Sequence, residues 1–198
     1  MSILIVLTVV IGIVTGAVIY PSEWLFATDT IMDFGLCLLL LLVGIDIGQQ
    51  KNGFSEIKKM GLSLLIVPIM IAIGTIFGAV VGGYFLGLPL NESSAVGAGL
   101  GWYSLSSVIL MDYSAHTSAL AFITNVLREL IAILTIPFVA RFIGFMEAVA
   151  PCGATAMDTS LPIITKFTDS KTAILAFSSG AILSTSVPVL VSFFISLS

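Results

Sequence analysis

Two carboxylates and one guanidinium interrupt stretches that are otherwise apolar. Glu129 is the thirteenth residue of the stretch 117–143 and stands next to Arg128; Asp158 is the eighth of the sixteen residues 151–166. A charge at the centre of a spanning helix costs about 2.5–3.5 kcal/mol even on the lenient insertion scale, so each needs a partner or a task. Neighbouring helical residues point roughly 100° apart, so Arg128 and Glu129 do not face each other. Arg128 is free to meet Asp158 or a backbone carbonyl. Asn125 lies four residues before Glu129, on its face, within hydrogen-bonding reach. Two readings follow. One is a buried ion pair that ties a bundle together. The other is a cation site in which Glu129 and Asp158 hold a proton or an ammonium group in turn.

The polar residues around these acids carry the same double meaning. Trp102 and Tyr103 are read as a substrate wall or as interfacial aromatics. Ser104, Ser106, Ser107, Thr155, Thr159 and Ser160 either line a polar cavity or back-bond to their own helices. The GxGxG at 97–101 lacks the strand–helix context of a dinucleotide site, which leaves close backbone packing or a half-helix terminus at a cavity. Asp33 and Asp46, at the ends of an apolar stretch, are expected to be solvated, as is His116 in a link with Asp112. Cys37 and Cys152 have no CxxC spacing and read as packing residues. One His and two scattered thiols supply no metal set. A buried serine–histidine pair and a GxGD motif are both missing. The expectation is neither an enzyme nor a cofactor protein.

What must position these groups is a membrane. The chain has 198 residues, 58% hydrophobic and 9% charged, with a mean hydropathy of +1.19. Soluble domains carry about 25% charged residues, so a soluble enzyme, a nucleic-acid binder and a disordered chain are excluded. The net charge of −4 is too small to name a partner. Residues 1–20 have no basic n-region and read as a retained span. Residues 30–48, 61–86, 117–143 and 172–197 complete about five transmembrane helices. Residues 95–111 and 151–166 are apolar on average but broken by Gly, Ser, Pro and charge. Non-helical backbone at membrane depth requires an interior cavity.

Lys51, Lys58 and Lys59 place their loop inside, which puts the N-terminus inside and the C-terminus outside. With both broken elements re-entrant, Arg141, Lys166 and Lys171 fall inside as well; with both crossing fully, only Arg141 moves outside. ALAF at 119–122 recurs as ILAF at 174–177, and Thr117 recurs as Thr172 at the same offset. Two re-entrant units entered from opposite sides are inverted copies, a secondary-transporter design. The expected fold is therefore an all-α polytopic membrane protein forming a single transport domain. Residues 1–86 would be a three-helix scaffold and 95–197 two units, each a broken element plus a helix.

GLGWYSLSS at 99–107, LRELIAIL at 127–134 and CGATAMDTSLPII at 152–164 resemble the lysine exporter LysO family, as does LLLVGIDIG at 40–48. The resemblance implies L-lysine efflux across a bacterial cytoplasmic membrane, with Glu129 and Asp158 as the functional pair. Single-polypeptide members carry an extra N-terminal membrane block, so the resemblance also implies a short companion subunit or a homo-oligomer. Lysine is a cation leaving against an inside-negative potential, and exchange for a proton removes that penalty. The competing expectations are a non-transporting subunit that assembles with a companion chain and a cation-coupled transporter of another small solute.

Overall fold

The computed structural model describes residues 61–197 without a gap, together with scattered positions among 7–16 and 34–45. The chain divides into two compact units, residues 1–50 and 51–198. The first is helical at every described position, and Cys37 is exposed there. Asp33, Asp46, Lys51, Lys58 and Lys59 lie outside the described residues.

The second unit is all-helical over its described length. Helix α1 spans Ser63–Leu86, α2 Leu90–Ala98, α3 Tyr103–Met111 and α4 Ala115–Phe142. Two 3-10 turns follow, Glu147–Val149 and Gly153–Met157, then α5, Leu161–Phe167, and α6, Ser170–Ile195. Three of these, α1, α4 and α6, are long and apolar enough to cross a membrane.

Local chemistry sets the boundaries. Gly87 closes α1 in the left-handed conformation, φ 70°, and Leu88 N–H returns to Gly83 O at 2.9 Å, which pairs carbonyls the helix end would leave open. The chain re-enters a helix right after Pro89, so residues 91–94 are helical despite their polarity and the first broken element begins before the expected residue 95. Glu92 suits the positive first turn of α2, and Ser93 is accommodated by donating back to Pro89 O at 2.8 Å. Ser93 and Ser94 are buried. Helix α2 stops because Leu100 and Gly101 are both left-handed, φ 50° and 103°. Side-chain caps start the two later spans. Ser114 accepts from Thr117 N–H at 3.3 Å, and Asp169 from Thr172 N–H at 2.8 Å. These caps begin α4 and α6 slightly earlier than hydropathy alone suggests, and His116 becomes an exposed residue of the first turn of α4 rather than of a link.

Contacts bring the two ends of each broken element near one another. Asn91, at the start of α2, donates to Tyr113 Oη, beyond the end of α3, at 3.4 Å. Glu92 accepts from Thr117 Oγ1 at 2.8 Å, so both ends of this element stand beside the start of α4. Its turn, at Gly101, donates to Asn125 Oδ1 at 2.7 Å, well along α4. At the opposite end, a cavity of about 400 Å³ is lined by Ser63, Phe145, Met146, Glu147, Asp169 and Lys171, among others, which brings both ends of the second element together. The turns of the two elements touch: Ala154 N–H donates to Leu100 O at 2.9 Å.

Candidate functional site

Helix α4 presents Glu129 about half-way along its length. The second broken element presents Asp158 where the 3-10 turn ends, in a backbone conformation outside both helix and sheet (φ −130°, ψ −99°). Thr159 links them. Its amide donates to Asp158 Oδ1 at 2.6 Å and its hydroxyl approaches the same oxygen at 3.3 Å. The Thr159 hydroxyl also lies close enough to the Glu129 carboxylate to act on it, and that carboxylate is within electrostatic reach of Asp158. A hydroxyl has one proton to donate. It can serve one carboxylate at a time, so the charge on one acid bears on the other. Tyr103, at the start of α3, lies within electrostatic reach of both acids and is held edge-on against Phe122, ring centroids 5.4 Å apart. All four side chains are half-buried, which leaves the cluster accessible.

The remaining expected residues divide. Thr155 is buried beside the cluster, donating to Cys152 O at 2.9 Å and sharing a 2.9 Å contact with Ser160 Oγ. Trp102 and Ser104 are exposed at the start of α3. Asn125 is 2% exposed, but its amide holds the first break rather than Glu129. It accepts from Gly101 N–H and donates to Val96 O at 3.3 Å and Ala121 O at 2.9 Å. Arg128 turns to the second break, where Nε donates to Pro151 O at 2.9 Å and Nη2 to Ala150 O at 3.4 Å. Of the two partners the sequence allowed it, Arg128 thus takes backbone carbonyls.

The glycines of 97–101 serve close packing. A Cβ at Gly97 would lie 2.5 Å from Ala79 Cβ, and one at Gly99 would lie 2.5 Å from Asn125 Nδ2. Two glycines that the motif reading passed over matter as much. Gly153 is left-handed, φ 62°, and a Cβ there would run into Leu100 O and lie 2.8 Å from Arg128 Nη2. Gly180 of α6 lets Met157 N and Ala154 O approach to 2.5 and 2.9 Å of where a Cβ would sit. The ILAF repeat pointed toward Gly180, because Asn125 and Gly180 stand at the offset that separates ALAF from ILAF. Each touches its own break. Asn125 meets Gly99 and Gly180 meets Ala154, and that second pair of partners keeps the same offset.

At the end lined by Asp169, burial acts to raise that carboxyl. Hydrogen bonds from the Thr172 hydroxyl and amide, with the charge of Lys171, outweigh it and hold Asp169 below the usual carboxylate range.

The arrangement is two acids from separate elements, with a threonine hydroxyl close to both, near the meeting point of two broken helices. The sequence pattern of the lysine exporter LysO family matches residues 6–195, which takes in every residue of this cluster. Lysine exporter LysO of Escherichia coli K12 is 35% identical over 165 residues, 82% of this chain and 54% of that protein. This chain therefore spans about half the length of that relative. A putative lysine exporter of Haemophilus influenzae is 31% identical over 189 residues, 94% of each chain. No solved structure matches. With the family's pattern running through both broken elements and both acids, the chain belongs to the lysine exporter LysO family.

Proposed function

We propose that this chain exports L-lysine across a bacterial cytoplasmic membrane in exchange for protons, with Glu129 and Asp158 as the shared site for ammonium group and proton. The observation that carries this reading is the approach of the two acids to each other and to Thr159 at the crossing of the broken elements. Moving one positive charge out against 100 mV costs about 2.3 kcal/mol, roughly a fiftyfold gradient in the wrong direction. One lysine out for one proton in moves no net charge. Each acid then alternates between proton and ammonium group, and Thr159 couples their states. Tyr103, Thr155 and Ser104 supply polar edges for the rest of the amino acid, and Trp102 one wall.

The same reading takes both broken elements as re-entrant, from opposite sides, within an inverted repeat alongside about five spans. The side-by-side ends of each element support it. So do the matched caps of α4 and α6, which keep the offset of the ILAF repeat, and the mutual packing of α3 on α6 and α5 on α4. The end that carries Arg141, Lys166 and Lys171 is then cytoplasmic, with the N-terminus inside and the C-terminus outside. A companion membrane segment or a second copy would cover α1, where a Cβ at Gly74, Gly78 or Gly82 would meet nothing within 4 Å among the described residues.

The test is efflux of labelled lysine from proteoliposomes under imposed proton gradients with the voltage clamped by potassium and valinomycin. Export should rise with the inward proton gradient at constant voltage. A flux indifferent to that gradient overturns proton exchange.

A further inference from the structure

Breaking a helix at membrane depth strands carbonyl oxygens, and unsatisfied backbone there costs several kcal/mol per group. In broken-helix transporters such carbonyls and half-helix C-terminal ends are where a coupling cation is coordinated. In this chain a side chain stands in that place. The carbonyls of Ala150 and Pro151, just after the first 3-10 turn, receive the Arg128 guanidinium through Nη2 and Nε. Gly153 is the hinge that admits it: its left-handed backbone passes between Leu100 O and the guanidinium, where no side chain fits. Arg128 Nη1 is buried with no acceptor among the described residues.

A plain structural tie would not need a charge. Asn125, three residues earlier on the same helix face, holds the first break with a neutral amide. The second break instead receives a group that is charged at every physiological pH and more weakly hydrated than an ammonium. Its acceptors are neutral carbonyls, so the return on burying it is the pair of charge-assisted hydrogen bonds to those oxygens. A metal cation would draw on the same oxygens.

We infer that Arg128 is a tethered cation, occupying the place at the helix crossing where a free coupling cation would otherwise bind, and that it makes transport independent of sodium. The transport part of this inference rests on the proposed lysine–proton exchange; the tethered-cation part does not. Arg128 acts here as a positioning residue, through the second broken element, on the Asp158–Thr159 end of the acid pair.

The experiment compares the full-length wild type with Arg128→Ala and Arg128→Lys, by labelled-lysine export in proteoliposomes and by thermal melting in detergent. Wild-type export is expected to be unchanged when sodium is replaced by choline. Arg128→Ala is expected to lose about tenfold or more, the scale of a charge-assisted hydrogen bond. Millimolar guanidinium chloride should restore part of that loss and raise the variant's melting temperature, while leaving the wild type unmoved. Arg128→Lys should keep both activity and sodium independence in part. Sodium-dependent wild-type export overturns the inference, and that measurement needs no variant. So does a folded Arg128→Ala that responds to guanidinium in neither readout. If Arg128→Ala fails to fold, Arg128→Lys decides: loss of its sodium independence overturns the inference. Should lysine export itself be missing, the guanidinium-dependent melting still reads the cation place, and only the transport reading falls.

Discussion

The two breaks share one frame and differ in chemistry. In the first, Leu100 and Gly101 turn the chain, Asn125 pins the turn and Tyr103 opens the next helix. In the second, Gly153 turns the chain, Arg128 pins it and Asp158 stands where Tyr103 stood, at the offset of the ILAF repeat. The helices behind them differ in the same way: Glu129 of α4 has Ser184 of α6 as its counterpart. Ser184 points its hydroxyl at Met157 Sδ, 3.7 Å away. Each position keeps its place in the packing, while a carboxylate is found at one of the two. Within the proposed inverted repeat, one unit's helix and the other unit's break supply one acid each, so a single site draws on both units.

Neutralising one acid and its counterpart should separate chemistry from frame. Glu129→Gln is expected to lower proton-coupled export by about a thousandfold, whereas Ser184→Ala should leave the rate within a few-fold. Export by Glu129→Gln at the wild-type rate would remove Glu129 from the proton path. Asp158→Asn should raise the lysine concentration needed for half-maximal counterflow, and an unchanged value would assign Asp158 to the backbone turn alone.

The turns themselves should differ in tolerance. Gly153→Ala must place a Cβ against Leu100 O and Arg128 at a positive φ, at a cost of about 3 kcal/mol. Gly101→Ala meets its nearest neighbour, Cys152 O, only at 3.3 Å, and should cost less. Thermal melting of the two variants ranks them, and the reverse order would mean that the first turn is the tighter. Asn125→Ala strands Gly101 N–H and Val96 O in the interior, a loss of about 2 kcal/mol. It should lower the melting temperature more than an alanine at exposed Thr124.

The smallest contrast lies in the caps. Ser114→Ala should cost about 1 kcal/mol at any pH. Asp169 caps as a carboxylate held below its usual range. Its contribution is therefore fully present above the unfolded value near pH ~4 and lost as pH falls through the lower folded value. Melting curves of wild type and Asp169→Ser should converge in acid. A constant gap between them would mean that the charge of Asp169 does not matter to the cap.

Much of this was readable along the chain. The charge deficit demanded a membrane, Gly and Ser density marked the first broken element, Pro, Thr and Asp158 the second, and the echo of Thr117 in Thr172 marked the matched caps. Residues 91–94 misled because their polarity hides a helix start set by Pro89 and Glu92. Asn125 misled for a different reason. Helical spacing puts it on the face of Glu129, but spacing knows nothing of Gly101 arriving from another element with an unpaired N–H.

Composition and pattern along the chain determined that Glu129 and Asp158 lie in apolar surroundings, because the cost of desolvating a charge depends only on how apolar its neighbours are. Which groups meet was decided by tertiary structure alone. Thr159 joins the two acids, and Arg128 takes carbonyls rather than Asp158. Hydrogen bonds are short and directional, and the partners here come from segments well separated in sequence. Only the folded backbone, turned at Gly101 and Gly153, brings them within reach.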